Sequence, residues 1–455
     1  MYPRFVKFLR SYLIVFVIVL LSSEANSKEV KLPVYILTSY QDGVFLPYKK
    51  AFEIKHPDVE LFILNKKTSA AISYIQDKRN VIMDVFWASS PDAFEILKNQ
   101  GKLVVSEIPN NKNQKIHGYP INDSDGYYQG FAISGYGIMW NTQKIHEFNL
   151  PIPQSWEQLT LPIYANQIGI TAPSRSGTTH IIIEIILQNK NWQKGWHDVL
   201  KIAGNLKTIT ARSFSVRSSV EEGYFSIGLV IDFFALMSQS LNHKVGFIYP
   251  QKTALLPASI ALVKGGENKE NAQKFIEFVR SEEGQKLLFL PALSRYPINE
   301  ASYQFAPKHI KNPFQNMSQN FMKQFYVQMS QKRYHLVNSM FDQLITRNLE
   351  SLKEAWRLVY LVEEKIQKYK DTKGKYNELS LRIITLKQLI LTVPVTEQQS
   401  LNSAFNMVFS RRRPGIAISA EQIAQEKSWK NGAKNRYELV IKQAEEILME
   451  LANEH

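Results

Sequence analysis

A polar loop between two apolar runs carries the residues best suited to binding an anion. Residues 173–180 read PSRSGTTH, and the apolar run 181–187 follows directly. The first N–H groups of a helix have no partner inside the helix, and the helix dipole makes that end positive. Small hydroxyl residues and a glycine let an oxyanion approach these groups, and Arg175 adds a planar set of donors. The pattern predicts a seat for phosphate, phosphonate or carboxylate formed by Ser174, Arg175, Ser176, Gly177, Thr178 and Thr179.

The same loop also fits an ordinary capped helix, because Ser and Thr are common N-cap residues. It lacks the GxxxxGK[ST] spacing and the lysine of a nucleotide-binding P-loop, so nucleotide hydrolysis is not indicated. His180 either touches the anion or packs inside the fold, because nothing in the sequence fixes its tautomer.

Two further polar segments follow apolar strands. Ser39 and Tyr40 come after the strand predicted at 34–37, and Ser89 and Ser90 come after the strand predicted at 84–88. Ser90 is the expected N-cap of the next helix, with Pro91 at its first position. Ligands of open α/β sheets bind where strands end and helices begin, so these residues and the 174–179 loop are expected to share one cleft.

No pattern in the chain predicts an enzyme. We find no GxSxG or HExxH motif and no Ser-His-Asp or Cys-His arrangement, and the carboxylates are not paired by their spacing. The chain has no cysteine, which removes disulfides, thiolate metal sites and a lipid attachment site. We therefore expect a binding protein without a cofactor.

The N-terminus has the composition of a secretory signal. Arg4, Lys7 and Arg10 precede an apolar core at 12–21, and small residues at 25–27 fit a cleavage site before Lys28. Residues 1–27 are predicted to be a signal peptide that sends the chain to the periplasm, because the core is short for a membrane span. An uncleaved anchor is the alternative.

The charge of the chain indicates the kind of partner. The formal net charge is +14 over 455 residues, and residues 1–27 carry only three of the basic residues and one acidic residue. Outside the cytoplasm, such an excess favours a small anionic solute or an anionic membrane surface. Aromatic residues are not interleaved with Lys and Arg, so nucleic acid is not an expected partner.

Several motifs resemble those of one family. DVFWASSPD at 84–92, RSGTT at 175–179, GLVIDFF at 228–234, PASIALVKG at 257–265 and FIEFVRSEEGQ at 275–285 occur in that order. Together they resemble extracellular solute-binding proteins of ABC importers, in the branch of phosphate, phosphonate and ferric-ion binders. Within it, the chain is most similar to phosphoglycerate transport regulatory proteins, which also continue into a helical C-terminal region.

The resemblance implies an α/β fold of two lobes, the periplasmic binding protein fold, with crossing hinge strands that let the lobes close on a ligand. The first lobe is expected at 28–130 with a return at 253–305, and the second lobe at 131–252. The β-rich segments 131–140 and 245–249 suit the crossing strands. Residues 306–455 form the expected α-helical C-terminal extension.

Iron-binding relatives carry adjacent tyrosines at the place that Phe233 and Phe234 occupy here. Phenyl rings cannot ligate a hard cation, so we expect no metal site. Just before them, Asp232 either accepts a hydrogen bond from a ligand or caps the helix that follows. Arg295 either lies at the rim of the cleft or has a structural role, and the structural role is the one we expect.

The C-terminal third has a different pattern. Apolar residues recur at helical spacing from Leu352 to Ile366 and from Tyr437 to Leu451, and a basic cluster lies at 411–413. These helices either cap the first lobe or dock a partner. The sequence thus predicts a periplasmic binding protein that delivers a small phosphorylated or phosphonate solute to an inner-membrane ABC permease. The alternative is a ligand sensor that signals to a membrane partner through its helical extension.

Overall fold

The structure is a computed structural model that describes residues 32–77, 79–108, 114–308, 310–316, 324–370, 373–409 and 418–453. The predicted signal peptide at 1–27 and the basic cluster at 411–413 lie outside the described residues. No helix in the described part of the chain is long and apolar enough to cross a membrane.

The strands of the described residues form one large mixed sheet and a small hairpin formed by β5 and β6. In chain order they are β1 Leu32–Thr38, β2 Val59–Asn65, β3 Val85–Ala88, β4 Leu103–Val104, β5 Lys115–Ile116, β6 Tyr119–Pro120, β7 Gln129–Asn141, β8 Ile168–Thr171, β9 Leu206–Thr210, β10 Ile227–Ile231, β11 Val245–Ile248, β12 Leu255–Val263 and β13 Tyr296–Pro297.

Strand β7 joins two halves of the large sheet, whose strand order is β2-β1-β3-β12-β7-β10-β8-β9. Up to Gly135 it pairs with β12, and from Tyr136 onwards it pairs with β10 and β11. The half built on β1, β2, β3, β12 and the start of β7 is the first lobe, and the half built on β8, β9, β10, β11 and the end of β7 is the second lobe. The change of partner lies a few residues after the expected boundary at 130/131.

Helices cover both lobes and form the C-terminal third. They are α1 Asp42–Lys55, α2 Thr68–Gln76, α3 Pro91–Asn99, α4 Thr142–Glu147, α5 Gly177–Asn189, α6 Trp192–Gly204, α7 Ser213–Glu221, α8 Asp232–Ser240, α9 Lys269–Arg280, α10 Glu282–Leu287, α11 Pro313–Asn316, α12 Val327–Phe341, α13 Leu349–Lys365, α14 Lys373–Ile390, α15 Glu397–Leu401, α16 Ser403–Phe409 and α17 Ala420–Ala452. The two-lobed α/β fold and the helical C-terminal extension are as the sequence predicts.

Parallel strands and their crossover helices place the strand ends where a ligand can bind. Strands β1, β2 and β3 are parallel, as are β8, β9 and β10. Helices α1 and α3 follow β1 and β3 in the first lobe, and α5 and α8 follow β8 and β10 in the second. The carboxyl ends of these strands therefore open toward one cleft.

The C-terminal helices do not cap the first lobe alone: α13 packs on the second lobe, and α12 contacts both lobes. The buried face of α13, with Leu352, Trp356 and Val359, belongs to the hydrophobic core of the second lobe. The indole N–H of Trp356 donates to the Leu200 carbonyl oxygen of α6 at 3.2 Å. A Cβ at Gly204 would lie 2.3 Å from that indole ring, so the glycine permits the close contact. This apolar stripe is buried and is not a free docking surface.

Candidate anion-binding site between the lobes

A cleft between the lobes holds about 590 Å³ of empty space, including the part open to solvent. Residues from both lobes line it: Ser39, Tyr40, Gln41, Val44, Lys67, Thr68, Ser89, Arg175, Ser176, Gly177, Thr178, Arg212, Ser213, Phe214, Phe233, Phe234, Met237 and Arg295. The three polar strand ends that the sequence placed in one cleft are thus brought together.

The 173–180 loop lies at the cleft as the sequence predicts. Strand β8 leads into a short 3₁₀ turn, Pro173–Arg175, and α5 begins at Gly177. The Ser176 hydroxyl caps the helix by accepting from the Thr179 N–H at 3.2 Å. The loop is therefore a capped helix start and also part of the cleft. Gly177 and Thr178, in the first turn after the cap, line the cleft.

Gly177 is required by the close approach of the lobes. A Cβ at this position would lie 2.9 Å from the Ser90 Cβ and 3.0 Å from the Thr68 hydroxyl oxygen, both in the first lobe. Nearby, the Ser69 hydroxyl donates to the Ser174 carbonyl oxygen at 2.8 Å, again between the lobes. The loop is thus held against the opposite lobe.

Some predicted contact residues face away from the cleft. Ser90, Ser174 and Thr179 do not line it. Ser90 occupies the N-cap position of α3, but its hydroxyl makes no capping bond and is buried without a hydrogen-bond partner among the described residues. Its contact with Gly177 makes it a packing residue between the lobes.

His180 is held by the C-terminal extension and does not line the cleft. Its ring is fully buried, with Nδ1 2.8 Å from the Asn338 side-chain oxygen and Nε2 3.2 Å from the Ser330 hydroxyl. Burial lowers the pKa of His180 to about 4, so the ring is neutral at pH 7. Of its two sequence alternatives, the structure shows the packed one.

Asp232 uses its carboxylate oxygens on the protein itself. They accept from the backbone N–H groups of Gly135 and Phe233, at 2.5 and 2.7 Å, and from the Tyr249 hydroxyl at 2.8 Å. Burial raises the pKa of Asp232 to about 7, while these three donors oppose that rise. The contact with Gly135 ties the start of α8 to the middle of β7, where the strand changes lobes.

Arg295 lies in the lining of the cleft. It is 1 % exposed, and its three guanidinium nitrogens have no hydrogen-bond partner among the described residues. Its guanidinium carbon lies 3.5 Å from the ring centre of Phe233 and 4.5 Å from that of Tyr40. Since the residue lines the cleft, it places a buried cation with unused donors at the point where the lobes meet.

Three more cations lie around the same space. Lys67, Arg175 and Arg212 line the cleft, and none of its lining residues is Asp or Glu. Desolvation lowers the pKa of Lys67, and the charges of Arg175 and Arg212 lower it further. Their mutual repulsion makes the cleft favourable for an anion. Lys67 and Arg212 belong to no motif that the sequence showed. They lie near the 173–180 loop only because of the fold.

The described residues do not contain a metal centre of the expected ligand types. No group of three or more His, Cys, Asp or Glu side chains is placed to hold a metal ion among them. Phe233 and Phe234 both line the cleft, with ring centres 4.6 Å apart. The aromatic pair contributes apolar surface and, through Phe233, a face for the Arg295 guanidinium.

Comparison with known proteins gives the family. The model of bacterial extracellular solute-binding proteins matches residues 80–325. The chain belongs to this family. Phosphoglycerate transport regulatory protein PgtC of Salmonella typhimurium strain LT2 is 28% identical over 384 residues, which cover 84% of this chain and 89% of that protein. The resemblance drawn from the motifs is confirmed, and the family implies a periplasmic or extracellular location.

Solved structures share the fold. The periplasmic binding protein AfuA from Actinobacillus pleuropneumoniae, with fructose-6-phosphate bound, has a TM-score of 0.61 at 20% identity, covering 68% of this chain and 98% of its own. Iron-bound HitA from Pseudomonas aeruginosa has a TM-score of 0.52 at 18% identity, covering 62% and 90% of the two chains. Relatives and neighbours such as these are binding proteins.

Proposed function

We propose that this solute-binding protein takes up a small anionic solute, phosphorylated or bearing a phosphonate, in the cleft between its lobes. The observation that carries the proposal is Arg295, a buried cation whose guanidinium nitrogens have no hydrogen-bond partner among the described residues. The charge of Asp232 attracts it, but the Asp232 oxygens accept their hydrogen bonds from Gly135, Phe233 and Tyr249. An anionic ligand that accepts hydrogen bonds from Arg295 lowers the cost of burying its charge.

The surrounding residues support an oxyanion as the group bound. Backbone N–H groups at the start of α5 and the hydroxyls of Ser39, Ser89 and Thr178 offer further donors in the same space. With Lys67, Arg175 and Arg212 around them, the site has more positive charge than one carboxylate would need. A phosphate or phosphonate, with two charges and three terminal oxygens, matches this donor set better.

Delivery to an inner-membrane ABC permease is the role we propose for the bound solute, with no chemistry performed on it. The family supports this role, and the proposed periplasmic location follows from the signal peptide that the sequence predicts. The cleft lining supports a protein that is not an enzyme. None of its lining residues is a carboxylate or a histidine that could act as a general acid or base.

A second candidate is a sensor that reports the solute to a membrane partner. It is favoured by the relative named as a transport regulatory protein, whose similarity covers 84% of this chain and so reaches into the helical extension. The two roles differ in cells. Deleting a delivery protein abolishes uptake of the labelled solute, whereas deleting a sensor abolishes the transcriptional response and leaves constitutively expressed uptake intact.

Ligand screening tests the proposal. Thermal shift followed by calorimetry with phosphorylated two- to six-carbon metabolites and phosphonates should identify compounds that stabilise the protein. Each compound is compared with its dephosphorylated counterpart, which should not bind. Equal stabilisation by the phosphorylated and the neutral member of a pair would overturn the proposal.

A further inference from the structure

Helix α12, Val327–Phe341, lies behind the cleft and contacts both lobes. It packs against α3 of the first lobe, and against α5 and the turn Pro173–Arg175 of the second. Both α3 and α5 start at the cleft, since Ser89 comes just before α3 and Gly177 opens α5. One helix of the extension therefore touches the two elements that hold the ligand-facing loops.

Tyr334 is the point where α12 meets both lobes at once. Its side chain belongs to the first-lobe cluster that contains Phe94 and Leu97 of α3. Its ring centre also lies 4.1 Å from the ring of His180, on α5 of the second lobe. Tyr334 is 1 % exposed, so a change in the angle between the lobes must alter at least one of these contacts.

Polar contacts fix α12 to the second lobe. Arg333 donates two hydrogen bonds to the Glu184 carboxylate, at 2.9 and 2.8 Å, in a buried ion pair. Ser330 and Asn338 contact the His180 ring in the first turn of α5. Breaking a buried pair of this kind is strongly destabilising, so α12 is expected to follow the second lobe.

The contact with the first lobe is of a different kind. The Asp92 carboxylate of α3 lies 3.9 Å from His180 Nε2, and both of its oxygens are buried without a hydrogen bond in the described structure. Ser330 and Tyr334 of α12 interact with this carboxyl group, and Glu184 and Glu95 add their charges nearby. The α3–α12 face thus lacks the bonded ion pair found on the α5–α12 face, and it is the side that can separate when the lobes open.

Helix α12 continues into the rest of the extension through a π-helical turn, Asp342–Thr346. Such turns are frequent at functional sites, because the extra residue interrupts the regular helix. Beyond it, α13 is anchored on the second lobe by Trp356. If α12 moves where it contacts the first lobe, this turn would transmit the movement to α13 and the helices after it.

We propose that α12 couples occupancy of the cleft to the C-terminal helices: the α3–α12 contact at Tyr334 forms with the lobes closed on the anion and loosens with them open. This inference rests on the proposed function. The lobes contact each other here through bonds such as Ser69 to Ser174 and Arg212 to Asn65, which opening of the cleft would break. Because coupling is reciprocal, weakening the α12 contact must also weaken anion binding.

Hydrogen exchange on the full chain with inorganic phosphate as the probe tests the coupling. Phosphate should slow exchange in the cleft segments and also in residues 327–346. In Tyr334→Ala the cleft should still respond, residues 327–346 should not, and phosphate affinity should fall on the order of tenfold. Tyr334→Leu is the milder variant to measure in case the alanine variant does not fold, and it should show the same loss to a smaller degree.

Tyr334→Phe is the matched control. This variant keeps the ring that packs against His180 and the α3 residues and removes only the hydroxyl, so it should behave much as the wild type does. If phosphate protects the cleft but not residues 327–346, or if Tyr334→Leu binds phosphate as the wild type does, the coupling is overturned while the binding function stands. If neither phosphate nor any phosphorylated compound binds, the proposed function fails, and the coupling fails with it.

Discussion

The guanidinium carbon of Arg295 lies 3.5 Å from the ring centre of Phe233, across the boundary between the lobes. Arg295 precedes β13, which pairs with β7 in the first lobe, and Phe233 lies in the first turn of α8 in the second lobe. The aromatic face stabilises the cation from one side and leaves its N–H groups unused. The pair explains how the Arg295 charge is stabilised inside the protein, and under our proposal these N–H groups are the ones that bind the anion.

Removing the Arg295 charge should abolish most of the affinity. We expect Arg295→Gln to lose on the order of 2–5 kcal/mol of binding free energy, because the pair it makes with an anion is desolvated. Calorimetry with inorganic phosphate, or with the best compound of the screen, measures the loss. Arg382→Gln, at a half-exposed arginine paired with Glu450, is the control and should bind normally. Unchanged affinity in Arg295→Gln would remove Arg295 from the site.

A side chain at position 177 should interfere with closure. Gly177→Ala places a methyl group 2.9 Å from the Ser90 Cβ, so the lobes must move apart and phosphate affinity should fall. Calorimetry and the thermal midpoint measure the effect. Gly374→Ala is the matched control, because nothing lies within 4 Å of that position and an alanine in a helix is favoured by roughly 0.5–1 kcal/mol. Equal phosphate binding by the two variants would show that close packing at Gly177 is not needed.

Ferric iron should not bind in the cleft. Phe233 and Phe234 offer no oxygen ligand, and Arg295 covers the face of Phe233. Titration with ferric citrate should therefore leave the visible spectrum unchanged. A tyrosinate charge-transfer band would contradict the expectation and would call for a search among the tyrosines of the cleft, Tyr40 first.

His180 should make the fold sensitive to acid. Its folded pKa of about 4 lies below its ordinary value of 6.5, so the unfolded chain takes up a proton first as the pH falls. The contribution of His180 is complete above pH 6.5 and is lost as the pH falls toward 4, by roughly 3 kcal/mol at about 1.4 kcal/mol per pKa unit. Urea unfolding between pH 4 and 7 should show this slope, and His180→Gln should lack it. An equal slope in both proteins would assign the acid sensitivity to other groups.

The C-terminal extension should be needed for stability. Trp356→Ala should cost on the order of 3–5 kcal/mol, because the indole is buried against α6. Leu381→Ala, at a residue that is 65% exposed, is the control and should change little. A chain that ends near residue 305 would expose the whole second-lobe face, so we expect it to be insoluble or unable to bind phosphate. A soluble, binding-competent truncation would show that the extension serves a partner alone.

The sequence by itself predicted the fold class and the family, and it placed the 173–180 loop at the cleft. The apolar strands that precede Ser39, Ser89 and Ser174 could be predicted because strand and helix patterns depend on residues close in sequence. In a parallel sheet the carboxyl ends of such strands lie at the same edge, so these serines were expected to share a cleft. The capped start of α5 was also readable, since a cap depends on residues three apart. That positions 233 and 234 hold phenylalanines, which cannot ligate a hard cation, could likewise be read without the structure.

Only the tertiary structure decided which side chains complete the site. Arg295 lies more than a hundred residues from the loop, and its burial and lack of hydrogen-bond partners depend on how β7 and β12 bring the lobes together. The sequence left His180 as a ligand contact or a packed residue, and Asp232 as a ligand contact or a helix cap. In the structure both bond to residues distant in sequence, His180 to Asn338 and Asp232 to Gly135. The apolar residues at helical spacing on α13 predicted that the helix buries one face. Their spacing does not tell which part of the protein covers that face. Which surface covers such a face is set by long-range packing, and here it is the second lobe.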